Sequence, residues 1–200
     1  MRPFLFFTLL FFSSLTFAAQ KKLVVLGDSL SEGYGVAKEA AYPALVEKKL
    51  HDAGKTEWSI VNASVSGSTT ASAIGRMKWI FKSKPDVVLL ALGANDGLRG
   101  LKVEESKKNL DEAVKYAQSQ KVRVILAGLY MPPNYGKEYA TQFKKMYEDV
   151  AKKYKLVFIP FLLENVGGNP KYNQADGIHP NEEGHKIIAD NIFKVLKGAL

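Results

Sequence analysis

Five short apolar runs punctuate the chain: Lys22–Leu26, Trp58–Val61, Val87–Leu92, Val122–Gly128 and Leu156–Ile159. Several are valine, isoleucine and leucine with no in-out alternation, the pattern of strands covered on both faces of a parallel sheet. Between them the apolar positions recur at helical spacing. Pro43 suits a first helical turn, Leu45, Val46, Lys49 and Leu50 follow, and Gly54 is placed to end that helix. A second helix is predicted from about Thr69 to Lys82, with Ala73, Ile74, Met77 and Ile80 on one face. A third, about Val103 to Gln120, carries Leu110, Ala113, Val114 and Ala117 on its buried stripe. The fourth, near Glu138 to Tyr154, carries Phe143, Met146, Tyr147 and Val150, and the last follows Pro180 with Asn181 as its cap. Strands alternating with helices predict an α/β sandwich on a parallel sheet with right-handed crossovers.

The first stretch departs from this alternation. Arg2 precedes a run from Phe4 to Phe12 that is apolar but for Thr8, followed by Ser13, Ser14 and the small-residue end Thr16-Phe17-Ala18-Ala19. That is the outline of a secretory signal, cut after Ala18, and it predicts an exported protein, periplasmic or secreted. A membrane anchor is the competing reading, but the apolar core is well short of the roughly 20 residues that span a bilayer. Residues 19–200 are then expected to form a single domain, long enough to bury a core without a metal or a crosslink.

Charge and cysteine usage narrow the chemistry. The 28 Lys and Arg against 20 Asp and Glu give a formal charge of +8. Its lysines are scattered as pairs, Lys48-Lys49, Lys107-Lys108 and Lys144-Lys145, on helical stretches, which reads as solvated faces. No basic block interleaves with aromatics, so nucleic acid is not an expected partner. Peripheral contact with an anionic membrane surface stays open. With no cysteine, thiol nucleophiles, disulfides and thiolate metal sites are excluded.

Four polar or glycine clusters begin where predicted strands end, the edge at which open α/β sheets bind ligands. The first is Gly27-Asp28-Ser29-Leu30, where Ser29 is either a nucleophile or a helix cap. In Asn62-Ala63-Ser64-Val65-Ser66-Gly67-Ser68-Thr69, Gly67 offers an unobstructed backbone N–H or simply a turn. In Gly93-Ala94-Asn95-Asp96-Gly97, the Asn95 amide is a donor to a ligand or to the backbone. The last is Asp176-Gly177-Ile178-His179-Pro180. A carboxylate three residues from an imidazole in a tight loop can hold one ring nitrogen and leave the other facing a serine, which is the logic of a Ser-His-Asp triad. The chain has three histidines; His51 and His185 fall in predicted helices, where a surface or structural role is expected. No His-x-x-x-His or Glu-rich cluster accompanies His179, so no metal is expected.

Taken together, the four blocks resemble the SGNH hydrolases, the GDSL esterase and lipase family, in order and over nearly the whole chain after the signal. Asn62 to Gly67, Asn95 to Gly100 and Pro133-Asn134-Tyr135-Gly136 are most similar to its bacterial thioesterase, lysophospholipase and arylesterase branch. The resemblance implies a three-layer α/β/α, flavodoxin-like sandwich with a five-stranded parallel sheet. It also implies a triad of Ser29, Asp176 and His179, and an oxyanion hole made by the N–H groups of Ser29 and Gly67 and the side chain of Asn95. The common α/β-hydrolase fold shares the chain order Ser, Asp, His, but no Gly-x-Ser-x-Gly elbow occurs here and no strand precedes the one before Ser29.

The resulting expectation is a cofactor-free, monomeric serine esterase acting on a small-molecule acyl ester or lipid. Its substrates would be aryl esters, short to medium acyl esters, thioesters and lysophospholipids. The segment Leu129 to Gly136, with Tyr130, Met131, Pro132 and Tyr135, is expected to shape the acyl site, joined by Leu98, Leu101 and Phe161 to Leu163. Two other readings stand beside it: a carbohydrate O-deacetylase, which needs a small polar acyl site, and a non-catalytic acyl-ligand binding module, which has no use for a proton relay.

Overall fold

The computed structural model describes residues 19–200; the expected signal and its cleavage point after Ala18 lie outside the described residues. Five parallel strands form one sheet in the order β2-β1-β3-β4-β5, with β1 Lys21–Gly27, β2 Trp58–Asn62, β3 Val87–Ala91, β4 Arg123–Ala127 and β5 Val157–Ile159. Each predicted strand is present to within a residue or so of its expected ends. The inner strands explain the unbroken apolar runs, since Leu23 to Leu26 and Val87 to Ala91 are buried throughout. The outermost strands are less covered, and Val61 and Val157 keep 42% and 39% of their surface because each strand has a neighbour on one side only.

Among the described residues, seven helices pack on the sheet: α1 Ser29–Glu32, α2 Tyr42–Asp52, α3 Ala73–Ile80, α4 Ala94–Leu98, α5 Val103–Ser119, α6 Lys137–Tyr154 and α7 Glu182–Ala199. In one layer α2 lies against α7, and in the other α5 lies against α3 and α6. The predicted stripes face inward: Leu110, Ala113, Val114 and Ala117 on α5, and Phe143, Met146, Tyr147 and Val150 on α6, are all buried. The stretch expected as one helix from Thr69 to Lys82 is instead α3 flanked by single 3-10 turns at Thr70–Ser72 and Phe81–Ser83. Helices α1 and α4, of four and five residues, fall where the sequence reads as loop; a single turn is too short to show a period.

The paired lysines sit on helix surfaces beside acids. Lys48, Lys107, Lys108, Lys144 and Lys145 reach Asp52, Asp111, Glu112, Glu148 and Asp149 one turn on, and Lys49 reaches Asp190 on α7. Exposed pairs of this kind contribute little stability, but they do neutralise the local charge. No described helix is long and apolar enough to cross a membrane.

The strand order positions the site. The chain leaves β1 toward β2 on one side and returns to β3 on the other, so the crevice beyond the carboxyl ends of β1 and β3 is the topological switch point.

Candidate active site

Ser29 opens α1 directly beyond β1. It is not the cap of that helix: Asp28 is, its Oδ1 accepting a 3.1 Å bond from Leu30 N. Ser29 is thereby the first helical residue, with a backbone N–H that the helix itself does not satisfy. Asp28 is fully buried, and burial, reinforced by the charge of Asp96, pushes its carboxyl up to about 6.

His179 arrives from a hairpin-like turn before α7. Its Nε2 lies 3.0 Å from Ser29 Oγ, and its Nδ1 lies 2.7 Å from Asp176 Oδ2. An ionised carboxylate only accepts, so Nδ1 carries the proton and Nε2 is left to accept from the serine hydroxyl. Asp176 Oδ1 also accepts 3.0 Å bonds from the N–H groups of His179 and Ile178. These bonds, those from His179 above all, hold the Asp176 carboxyl down to about 2. The ring of Tyr34 covers the imidazole, with centroids 4.6 Å apart.

The loop after β2 and the short helix after β3 meet beside this chain of bonds. Asn95, on α4, donates from Nδ2 to Ser68 O at 3.1 Å, and Arg99 donates to Gly67 O at 3.1 Å. Gly67 adopts φ +77°, a left-handed conformation that side chains rarely take, which turns the peptide at this point. Sequence reasoning assigned nothing to Asp96, yet it is the clamp between these two segments. Buried, it accepts from Thr70 N at 2.9 Å, Thr70 Oγ1 at 2.5 Å and Ser106 Oγ at 3.0 Å. Its only signal in sequence is an acid between Asn95 and Gly97, which spacing alone does not distinguish from a solvated one.

Ser29, Asn95 and His179 open onto one cavity of about 370 Å³. Of the residues expected at the acyl site, Leu98, Tyr130, Met131, Pro132, Phe161 and Leu163 line it. Tyr130 and Phe161 form one wall as a parallel stack 4.3 Å apart. Tyr135 does not line it; its hydroxyl donates to Leu98 O at 3.4 Å. Leu101 also lies outside the lining, and Leu162 is buried in the core. Leu129, the first residue of the segment expected there, lines it as well, and Leu30 and Ile178 join the wall without having been foreseen. A second depression of about 380 Å³ lies at the opposite edge, against the strand starts Val87, Arg123 and Val157, and holds none of the predicted site residues.

The other histidines stand apart from this site. His51 lies at the end of α2 with Nε2 2.7 Å from Trp58 O. His185 is buried in α7, where its Nδ1 accepts from Tyr42 N at 3.2 Å and burial lowers its pKa to about 4.

Fold and site together define a hydrolase with a serine, histidine and aspartate at the switch point of a parallel sheet. Residues 25–187 match the GDSL-like Lipase/Acylhydrolase family, and the chain belongs to it, in the class of carboxylic ester hydrolases. Among its relatives is the thioesterase 1/protease 1/lysophospholipase L1 of Escherichia coli K12, 38% identical over 98% of this chain and 91% of the relative. The arylesterase of Vibrio mimicus is 36% identical over 89% of each. The crystal structure of TesA superposes with a TM-score of 0.86 at 38% identity, covering 90% of this chain and all of that one.

Proposed function

We propose that Ser29, His179 and Asp176 are the catalytic triad of this ester hydrolase, working through an acyl-enzyme on Ser29. His179 Nε2 takes the proton as Ser29 Oγ attacks the acyl carbon, and the resulting imidazolium is stabilised by Asp176. As the tetrahedral intermediate collapses, the proton passes to the departing alcohol or thiol. Water then enters, gives its proton to His179 and releases the acid, returning Ser29 to its hydroxyl form. The N–H groups of Ser29 and Gly67 and the amide of Asn95 are the donors to the intermediate's oxyanion. The reading rests on the unbroken run from Asp176 Oδ2 through the imidazole to Ser29 Oγ, at 2.7 and 3.0 Å. A binding module gains nothing from such a relay.

The substrates we assign are acyl esters and thioesters of short to medium chain, including aryl esters and lysophospholipids. An acyl chain suits a cavity walled by leucines, Met131 and the Tyr130–Phe161 stack, whereas a carbohydrate O-deacetylase would favour a small polar acyl site. The N-terminal apolar run supports export to the periplasm or beyond, as a monomer whose positive charge favours peripheral contact with anionic membrane.

Hydrolysis of nitrophenyl esters of increasing acyl length, run beside Ser29→Ala, tests the reading. Turnover should peak beyond acetate and collapse in the variant, by up to roughly 10⁶ as in other serine triads. Equal turnover by a folded Ser29→Ala would overturn the mechanism, and activity confined to acetate would favour the deacetylase.

A further inference from the structure

Ser29 and His179 are 150 residues apart in the chain, so the 3.0 Å contact between them depends on how two separate loops are held together. On the serine side, α1 ends after one turn, and Tyr34 N donates back to Ser29 O at 3.2 Å, so the backbone of Tyr34 is tied to that of the nucleophile. On the histidine side, Gln174 N donates to His179 O at 2.8 Å, closing the turn that carries Asp176 and His179. One side chain joins the two. Gln174 Nε2 donates to Tyr34 O at 2.6 Å and to Pro180 O at 2.9 Å, one amide hydrogen to each loop.

The surroundings keep that amide in place. Gly35 has φ +78°, and a Cβ at that position would overlap Gln174 Oε1, so the glycine is what lets the Tyr34–Gly35 backbone reach the amide. The Tyr34 ring then lies over the His179 imidazole. A path of three hydrogen bonds therefore runs from Ser29 O to Tyr34, to Gln174, to the residue following His179. It is separate from the reacting chain of Asp176, His179 and Ser29.

We infer that Gln174 is a positioning residue for catalysis, a latch that sets the distance between nucleophile and base by donating to both of their loops. This rests on the reading of Ser29 and His179 as reacting groups. Removing the two donors frees the turn bearing His179 to drift from Ser29. A displacement of about 1 Å in a reacting geometry costs on the order of 10²-fold in rate. Gln174 itself does not line the acyl cavity, whose leucines, Met131 and Tyr130–Phe161 stack come from other segments, so the loss should fall mainly on kcat rather than KM.

The test compares wild type, Gln174→Leu, Gln174→Lys, Gln174→Glu and Ser29→Ala on one nitrophenyl ester of good turnover, well below each melting temperature. Leucine keeps the volume and removes the donors. Lysine restores a donor able to serve both carbonyls, whereas glutamate sets an acceptor against them. The latch predicts a kcat lower by roughly 10- to 100-fold in Gln174→Leu, with KM within about threefold, and recovery of most of that loss in Gln174→Lys. Glutamate should be at least as slow as leucine. Wild-type kcat in a folded Gln174→Leu, or a loss that lysine shares in full, would overturn the latch. Should the leucine variant not fold, equal turnover by the lysine and glutamate variants would overturn it as well. Full activity in Ser29→Ala would instead remove the reading on which the latch rests, so the two failures are distinct.

Discussion

At the scale of single residues, the site depends on side chains whose chemistry is fixed by a few neighbours. Asn95 has an amide at the cavity and a partner in Ser68 O, so its replacement removes a donor without opening the core. Asn95→Ala should keep the melting temperature within a few degrees and lose on the order of 10² to 10³ in kcat, the usual cost of one oxyanion donor. A folded variant with wild-type kcat would take Asn95 out of that role. Asp28 and Asp176 are acids at the same site driven in opposite directions. Burial raises the first to about 6, whereas hydrogen bonds from His179 and Ile178 lower the second to about 2. Asp176 thus stays ionised through the mildly acidic range, as the proposed triad requires. Its place was legible in sequence because Asp176 and His179 are three residues apart, a spacing that local geometry can satisfy. Asp96, Gln174 and Tyr34 were not legible in those roles, since each acts on a partner distant along the chain.

At the scale of elements, each functional residue sits at the boundary between a strand or turn and the helix that follows. Helix α7 illustrates the coupling. Its cap Asn181 accepts from Gly184 N at 3.0 Å and donates to Lys171 O at 2.9 Å, two residues after His179. Losing such a cap costs about 1 kcal/mol. Asn181→Ala should therefore lower the unfolding free energy by about that amount, read by urea titration, and reduce kcat through the adjoining turn. An unchanged urea midpoint would show that the cap is dispensable to the fold. The longer helices were readable from their stripes because burial on one side imposes a 3.6-residue period. Helices α1 and α4 escaped because one turn imposes none, although they carry Ser29 and Asn95.

For the whole molecule, two buried groups act on acid stability with opposite signs. His185 takes up its proton near 4 when folded, against 6.5 in its unperturbed state, so the unfolded chain binds the proton first and stability falls as pH drops from about 6.5 to 4. Asp28 titrates near 6 when folded against 3.8 unperturbed, so the folded state binds the proton first and stability rises as pH drops from about 6 to 4. The two partly cancel in the native protein. In Asp28→Asn only the histidine effect remains, so its urea midpoint should fall more between pH 6.5 and 4 than that of wild type. Parallel midpoints across that range would show that Asp28 carries no such shift. Below about pH 4 the depressed Asp176 contributes its own loss as it protonates toward 2.

The sequence by itself determined the alternation of strand and helix, the inward stripes, the family's four blocks and the polar residues they carry. Those features are written in local periodicity and in motifs of a few residues, where chain geometry leaves little choice. Tertiary structure decided the rest. It fixed the strand order that opens the crevice between β1 and β3, and the 3.0 Å approach of Ser29 to His179. It joined the loop after β2 to α4 through Asp96 and Thr70, and tied the Tyr135 hydroxyl to Leu98 O. Each of these is a contact between residues far apart in the chain, and only packing brings such residues within hydrogen-bonding range.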